Sequence, residues 1–282
     1  MMPTLTEAGS EDEPAVLTMS EGQADSVLGD ALVASYNDLD RLTALVERNA
    51  EDIAAIVLEP VPCNTGVIEP RPGYLEGVRE LCDRHGIVLI FDEVITGFRV
   101  ALGGAQARFG VTPDLAIFAK AVASGFPMSV IAGRADIMDG VMDGVIHGGT
   151  YNAITSTVAA CRATVDALAD GGDELYGAME RRSRRLVDGF NEIGRRHGLP
   201  LHSQGVGAVL TTVFTDSPPL FNYRDYKASD EAMRLEFVQA LQDAGVRTTA
   251  RGTWFMSAVH TDEDIEETLS AADLAASQPT SR

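Results

Sequence analysis

IVLIFDEVITGFR, residues 87–99, decides how this chain folds. Five apolar residues without polar alternation predict a strand over 87–91 that is covered on both faces, and the acid pair Asp92-Glu93 marks its carboxyl end. Immediately upstream, Tyr74, Val78, Leu81 and Cys82 recur at helical spacing, and Gly86 is placed to stop that helix in the left-handed region. Further back, Asn37 is positioned as the N-cap of a helix whose apolar stripe is Leu39, Leu42, Leu45 and Val46. AAIVLEP (54–60) then reads as a short strand ended by proline. Downstream, DLAIFA (114–119) and SVIAG (129–133) repeat the short apolar run between turn signals. Helices alternating with such runs predict an α/β fold with a mostly parallel sheet flanked by helices.

Beyond the sheet, helical patterns cover 154–169 and 174–196. A mixed portion follows: GAVLTTVF (207–214), a helix near 230–244, TWFMSAV (253–259), and a last helix begun by Thr261 with Asp264 three residues on. The expected organisation is an acidic tail without structure over 1–20, a larger domain over 21–198 and a smaller α+β domain over 199–282. The 282 residues are 45% hydrophobic, enough for a sizeable core, and carry a formal net charge of −20. That charge disfavours nucleic acid or an anionic membrane surface as a partner and leaves small molecules and other subunits. MMPTLTEAGSEDEPAVL has neither the basic start nor the apolar core of a signal peptide, so the expected location is the cytoplasm. Cys63, Cys82 and Cys161 lie far apart without a CxxC pair, which predicts buried thiols and no metal site.

Open parallel sheets bind ligands outside the carboxyl ends of their strands. Asp92 and Glu93 follow one strand end and Lys120 follows another. Only two of the basic residues are lysine, Lys120 and Lys227, and Lys120 sits in the apolar IFAKAVASGF. An ammonium buried there is costly unless it is paired, neutralised or turned into an imine, and a Schiff base to pyridoxal 5'-phosphate is the commonest biological imine. That cofactor needs an amine, an acid at its ring nitrogen and donors for its phosphate. HGGT (147–150) offers the last, since paired glycines let backbone approach closely and Thr150 adds a hydroxyl. Taken singly, each has a plainer reading: Asp92 as a solvated loop acid, Lys120 as a snorkelling lysine, Gly-Gly-Thr as a turn. Their conjunction favours the cofactor. His147 reads as a turn or core histidine, and RRSRR (181–185) as a solvated helix face rather than an anion patch.

The run IVLEPVPCNTGVIEPRPGYLEGVRELCDRHGIVLIFDEVITGFRVALGGAQARFGVTPDLAIFAK, continued by HGGTY and WFMSAVHTDEDIEETL, resembles the class III pyridoxal-phosphate-dependent aminotransferases of fold type I. Within them it is most similar to the glutamate-1-semialdehyde 2,1-aminomutases, over about residues 21–275. The resemblance implies a transaminase or aminomutase acting on an amino acid or amino aldehyde such as glutamate 1-semialdehyde. It implies that Lys120 carries the Schiff base and moves the substrate proton, Asp92 pairs with the pyridine nitrogen and Val94 packs on the ring. Thr150 would reach the cofactor phosphate of a neighbouring subunit, hence a homodimer. Glu93 is expected to be a structural neighbour, and ALGGAQARFGVTPD (101–114) the mobile loop that gates the site.

The pattern also departs from the family. The family's N-terminal portion, with its phosphate-cradling loop and ring-stacking aromatic residue, has no counterpart upstream of Asn37. Pro62-Cys63 stand where Ala-Gly is usual, Ala153-Ile154 where a small residue and Pro are usual, and Ser129 where Gly is usual. The rival expectation is a non-catalytic homologue serving as a binding or regulatory subunit, or one half of a split enzyme. Arg247 and Arg251 are candidates for a carboxylate, with surface ion pairing the plainer role.

Overall fold

The computed structural model describes residues 8–17, 22 and 24–277, which contain two sheets. The first is built by short helix-strand units. After α1 (Asp25–Gly29) comes α2 (Leu39–Asn49), which turns Leu42 and Val46 inward. Its N-cap is Asp38, whose Oδ1 accepts from the Arg41 amide at 3.0 Å, and not Asn37 as the sequence suggested. Asn37 instead adopts φ 65°. Its side chain ties three distant segments by donating to the Glu69 and Phe221 carbonyls and accepting from the Arg71 amide. β1 (Ala55–Leu58) follows, then α3 (Tyr74–His85), closed by Gly86 at φ 68°, where glycine carries no Cβ penalty.

β2 (Val88–Glu93) lies between β1 and β3 (Leu115–Phe118) and is parallel to both. β4 (Val130–Gly133) closes the order β1-β2-β3-β4 and runs antiparallel to β3, so the sheet is mixed. α2 and α3 cover one face, where Leu75, Val78, Leu89 and Phe91 are almost wholly buried. The expectation of cover on both faces fails at the edges: Val57 is 61% exposed and Ile131 44%. The strands are apolar enough for burial, yet nothing among the described residues lies over those side chains. Asp114 fastens the sheet from its β3 end, accepting from the Leu89 amide at 2.7 Å and from Arg79 and Arg134, each at 2.9 Å.

Between the sheets come α4 (Gly104–Phe109), α5 (Ala135–Met138) and the long α6 (Thr155–His197). α6 is broken at Gly172 (φ 48°, ψ −148°), as the two separate helical patterns predict. The second sheet has the order β5-β6-β7, all antiparallel: β5 (Leu201–Val206), β6 (Val209–Phe214) and β7 (Thr253–Phe255). α7 (Tyr223–Lys227), α8 (Glu231–Asp243) and α9 (Asp262–Ala276) accompany it. α9 starts with the anticipated capping box, Thr261 with Asp264. The second core already includes Met179, Leu186, Phe190 and Ile193 from α6, so by packing it begins after Gly172 rather than at 199.

Of the stretch expected as a tail, residues 1–7 and 18–20 lie outside those described. Residues 8–17 hold contacts: Arg224 donates to the Gly9 and Ser10 carbonyls, and Arg41 pairs with Glu11 and Asp12. Among the described residues no helix is long and apolar enough to cross a membrane, and no cluster of acids, histidines and cysteines could hold a metal. Cys63 and Cys82 are buried thiols, and Cys161 is half-buried.

Candidate active site

Three parallel strands end on one edge, and register decides what meets there. Leu58 is level with Phe91, so Glu59 comes beside Asp92. Glu93 is level with Phe118, and Lys120 follows two residues later. Asp92 and Glu93 therefore belong to the last turn of the β2 ladder instead of lying beyond it. Their side chains leave opposite faces, as period-two geometry requires. The two adjacent carboxylates consequently have different surroundings.

Glu93 is fully buried. Its carboxylate accepts from the Thr96 hydroxyl at 2.9 Å, the Ala105 amide at 2.5 Å, and the Gln106 amide and side chain at 3.2 and 3.1 Å. It thereby satisfies the free amides at the start of α4, an anion at a helix N-terminus. Gly104, at φ 70°, passes so close that an added Cβ would lie 2.3 Å from Glu93 Oε2. The expected gate segment is thus a short helix clamped by Glu93. Arg108 anchors it further by donating to Glu180 at 2.9 Å.

Asp92 is half-buried, and its Oδ1 accepts from the Val94 amide at 3.0 Å. Val94 is itself half-buried beside it. Lys120 opens a 3-10 turn, Lys120–Ala123, with φ 49°. β3 ends at Phe118, so that turn carries the amine clear of the sheet. Lys120 is exposed rather than buried as its apolar neighbours suggested, and it has no ion pair among the described residues. Its side chain lines a cavity of about 590 Å³ with Phe98, Arg99, Phe255, Met256 and Ser257. β7 of the second sheet thus forms one wall of a site whose floor belongs to the first.

Glu59, Cys63 and Arg99 join this cluster, and sequence reasoning missed all three. Burial pushes the Glu59 carboxyl up against a hydrogen bond from the Cys63 amide at 3.2 Å. The Asp92 charge adds to the rise and the Lys120 charge opposes it. Burial also raises the Cys63 thiol, reinforced by Glu59 and Asp92 and opposed by Arg99 and Lys120. Cys63 thus lies within electrostatic reach of both acids and both cations. The available signal was register: LEP and FDE end neighbouring strands, so Glu59 and Asp92 could have been paired. Arg99 needed the turn over 94–100, which periodicity does not reveal.

The HGGT turn stands apart. Thr150 and its neighbours are exposed, with Ile146 97% and Tyr151 81% exposed, and Thr150 is not among the residues that line the Lys120 cavity. The RRSRR face, expected to be solvated, is ion-paired, through Arg182 to Asp262, Arg184 to Glu180 and Arg185 to Glu266. Arg251 donates to the Asn64 side chain at 2.9 Å.

Known proteins resemble this chain over most of its length. Residues 15–274 match the family model described as aminotransferase class-III. The chain is 39% identical over 272 residues to the glutamate-1-semialdehyde 2,1-aminomutase of Syntrophobacter fumaroxidans, covering 95% of this chain and 62% of that protein. An omega-transaminase from Sphaerobacter thermophilus superposes with TM-score 0.84 at 28% identity, over 93% of this chain and 60% of that one. The FumI protein of Sphingopyxis sp. MTA144, solved in its PLP internal aldimine form, gives TM-score 0.76 at 27% identity, over 88% and 56%. The chain spans about three fifths of the length of the curated relatives it matches.

Proposed function

The chain belongs to the class-III aminotransferase family, and from that premise we propose that it binds pyridoxal 5'-phosphate through Lys120 and transfers an amino group of an amino acid or amino aldehyde. The observation that carries this reading is a juxtaposition. A lysine and a half-buried carboxylate stand at adjoining strand ends, and the lysine, which has no ion pair among the described residues, lines a cavity large enough for a small ligand. When bound, the cofactor supplies an electron sink that loosens the bonds at the carbon bearing the amino group.

This chain's own residues would then divide the work. Lys120 would hold the cofactor, and its Nζ would take a proton from the substrate carbon and return it. Asp92 would keep the ring nitrogen protonated. Glu59 beside it, its carboxyl raised by burial, gives up negative charge more readily. Val94 would pack on the ring. The amine and ring-nitrogen anchors fit the group. The phosphate anchor, Thr150, is exposed on a turn away from the cavity, which supports a homodimer in which that hydroxyl serves a second copy. The aminomutase relatives favour a substrate of the glutamate 1-semialdehyde type, and the location favoured is the cytoplasm.

The test is titration of the purified chain with pyridoxal 5'-phosphate, followed by borohydride reduction and peptide mapping. A saturable absorbance change and a reduced adduct on Lys120, both lost in Lys120→Ala, are expected. An adduct on Lys227 alone, or none, would overturn the assignment.

A further inference from the structure

Arg99 ends the IVLIFDEVITGFR stretch, and its surroundings differ from those of other covered arginines. Arg79, Arg108 and Arg234 each reach a carboxylate, at 2.9, 2.9 and 3.0 Å. Arg99 reaches none. Its Nε donates to the Ile95 carbonyl at 3.2 Å and its guanidinium lies over the Phe255 ring, 4.8 Å from the centroid. Its two terminal amino groups have no hydrogen-bond partner among the described residues, and the side chain lines the Lys120 cavity. Desolvation pulls the guanidinium down from its usual range, with only Cys63 opposing.

A half-buried cation without a counter-ion is an incomplete interaction, because the water it loses is replaced by nothing of opposite charge. Stacking on Phe255 holds the plane of the guanidinium still and leaves its outer edge free. That edge carries two parallel N–H donors whose spacing matches the two oxygens of a carboxylate. Phe98 and Met256 give the space between Arg99 and Lys120 an apolar lining suited to a short carbon chain. We propose that Arg99 is the carboxylate anchor of this cavity, holding an amino or oxo acid whose other end reaches Lys120. The inference rests on Lys120 being the reacting amine and adds the residue that holds the far end of its substrate.

The test uses the cofactor-free chain and saturation-transfer NMR with pentanoate, pentanamide and inorganic phosphate, so it is read apart from cofactor chemistry. Saturable pentanoate binding, weakened at least tenfold in Arg99→Gln and less in Arg99→Lys, is expected, with no binding of the amide. Arg99→Lys, checked for an unchanged urea midpoint, keeps the result interpretable if Arg99→Gln does not fold. Three results would overturn the anchor: pentanoate that fails to bind the natural chain, equal binding to both variants, or equal binding of the amide. Phosphate displacing pentanoate at lower concentration would overturn the carboxylate class. Failure of the borohydride adduct with these results intact would remove the cofactor reading and leave a carboxylate site.

Discussion

Every residue of β6 in the second sheet is buried, whereas in the first sheet Val57 and Ile131 stand 61% and 44% exposed. The second sheet is sealed between α6, α8 and α9 around Phe190, Leu210 and Trp254. The first is covered by α2 and α3 on one face and spends its strand ends on polar groups that compete with packing. Stability and chemistry are thus allotted to different sheets, and the cavity lies where they meet, with Lys120 from one and Phe255 from the other.

The contrast breaks most severely if the sealed core is opened. Phe190→Ala, at a fully buried ring stacked against Trp254 with centroids 5.0 Å apart, should cost about 4 kcal/mol. Val57→Ala should change stability by less than about 0.5 kcal/mol. Urea midpoints decide it, and equal losses would mean that Val57 is covered in solution. Within the first sheet, Glu93→Ala should cost about 3 kcal/mol, because it strips the buried amides of Ala105 and Gln106 of their acceptor. Asp92→Asn should leave the urea midpoint unchanged and, if the proposed function holds, slow amino transfer, because the charge proposed to face the ring nitrogen is gone. Equal stability loss in both would merge two acids that the structure separates.

A loss smaller than those at Phe190 and Glu93 sharpens the comparison through acid. Despite the opposing effect of burial, the Leu89 amide and the Arg134 and Arg79 guanidiniums hold the Asp114 carboxyl below the usual carboxylate range. A group depressed in the folded state contributes stability that is present above its unfolded pKa of about 3.9 and is lost as pH falls through the folded value. Asp114→Asn should therefore lower stability by about 1.5 kcal/mol at neutral pH and flatten the acid limb of the stability profile. A stability–pH profile that keeps its acid limb in Asp114→Asn would transfer that role to other carboxylates.

How much of this was legible follows from what leaves a periodic trace. β1 to β4, the Gly86 stop, the α9 capping box and the break in α6 all show as apolar period or cap chemistry. β5, LHSQGV, was missed because Ser203, Gln204 and Gly205 interrupt its apolar pattern. The structure explains them: Ser203 donates to the Thr211 carbonyl and Gln204 to the Gly66 and Val67 carbonyls. Asn37 misled because one side chain can cap a helix or tie loops, and only the positions of Glu69, Arg71 and Phe221 decide. The positions of Asp92 and Lys120 at neighbouring strand ends were readable. The exposure of Lys120 was not, since it depends on a four-residue turn.

The scarcity of lysine has a practical face. Of the chain's two, Lys227 has an 18% exposed side chain with its amine 3.9 Å from Glu231, while Lys120 is open and has no ion pair among the described residues. Reagents that acylate amines would find the surface of this arginine-rich protein almost blank. After the terminal amine, the first tag on a mass map would fall on Lys120, and its rate of labelling would gauge cavity occupancy without any assay of turnover.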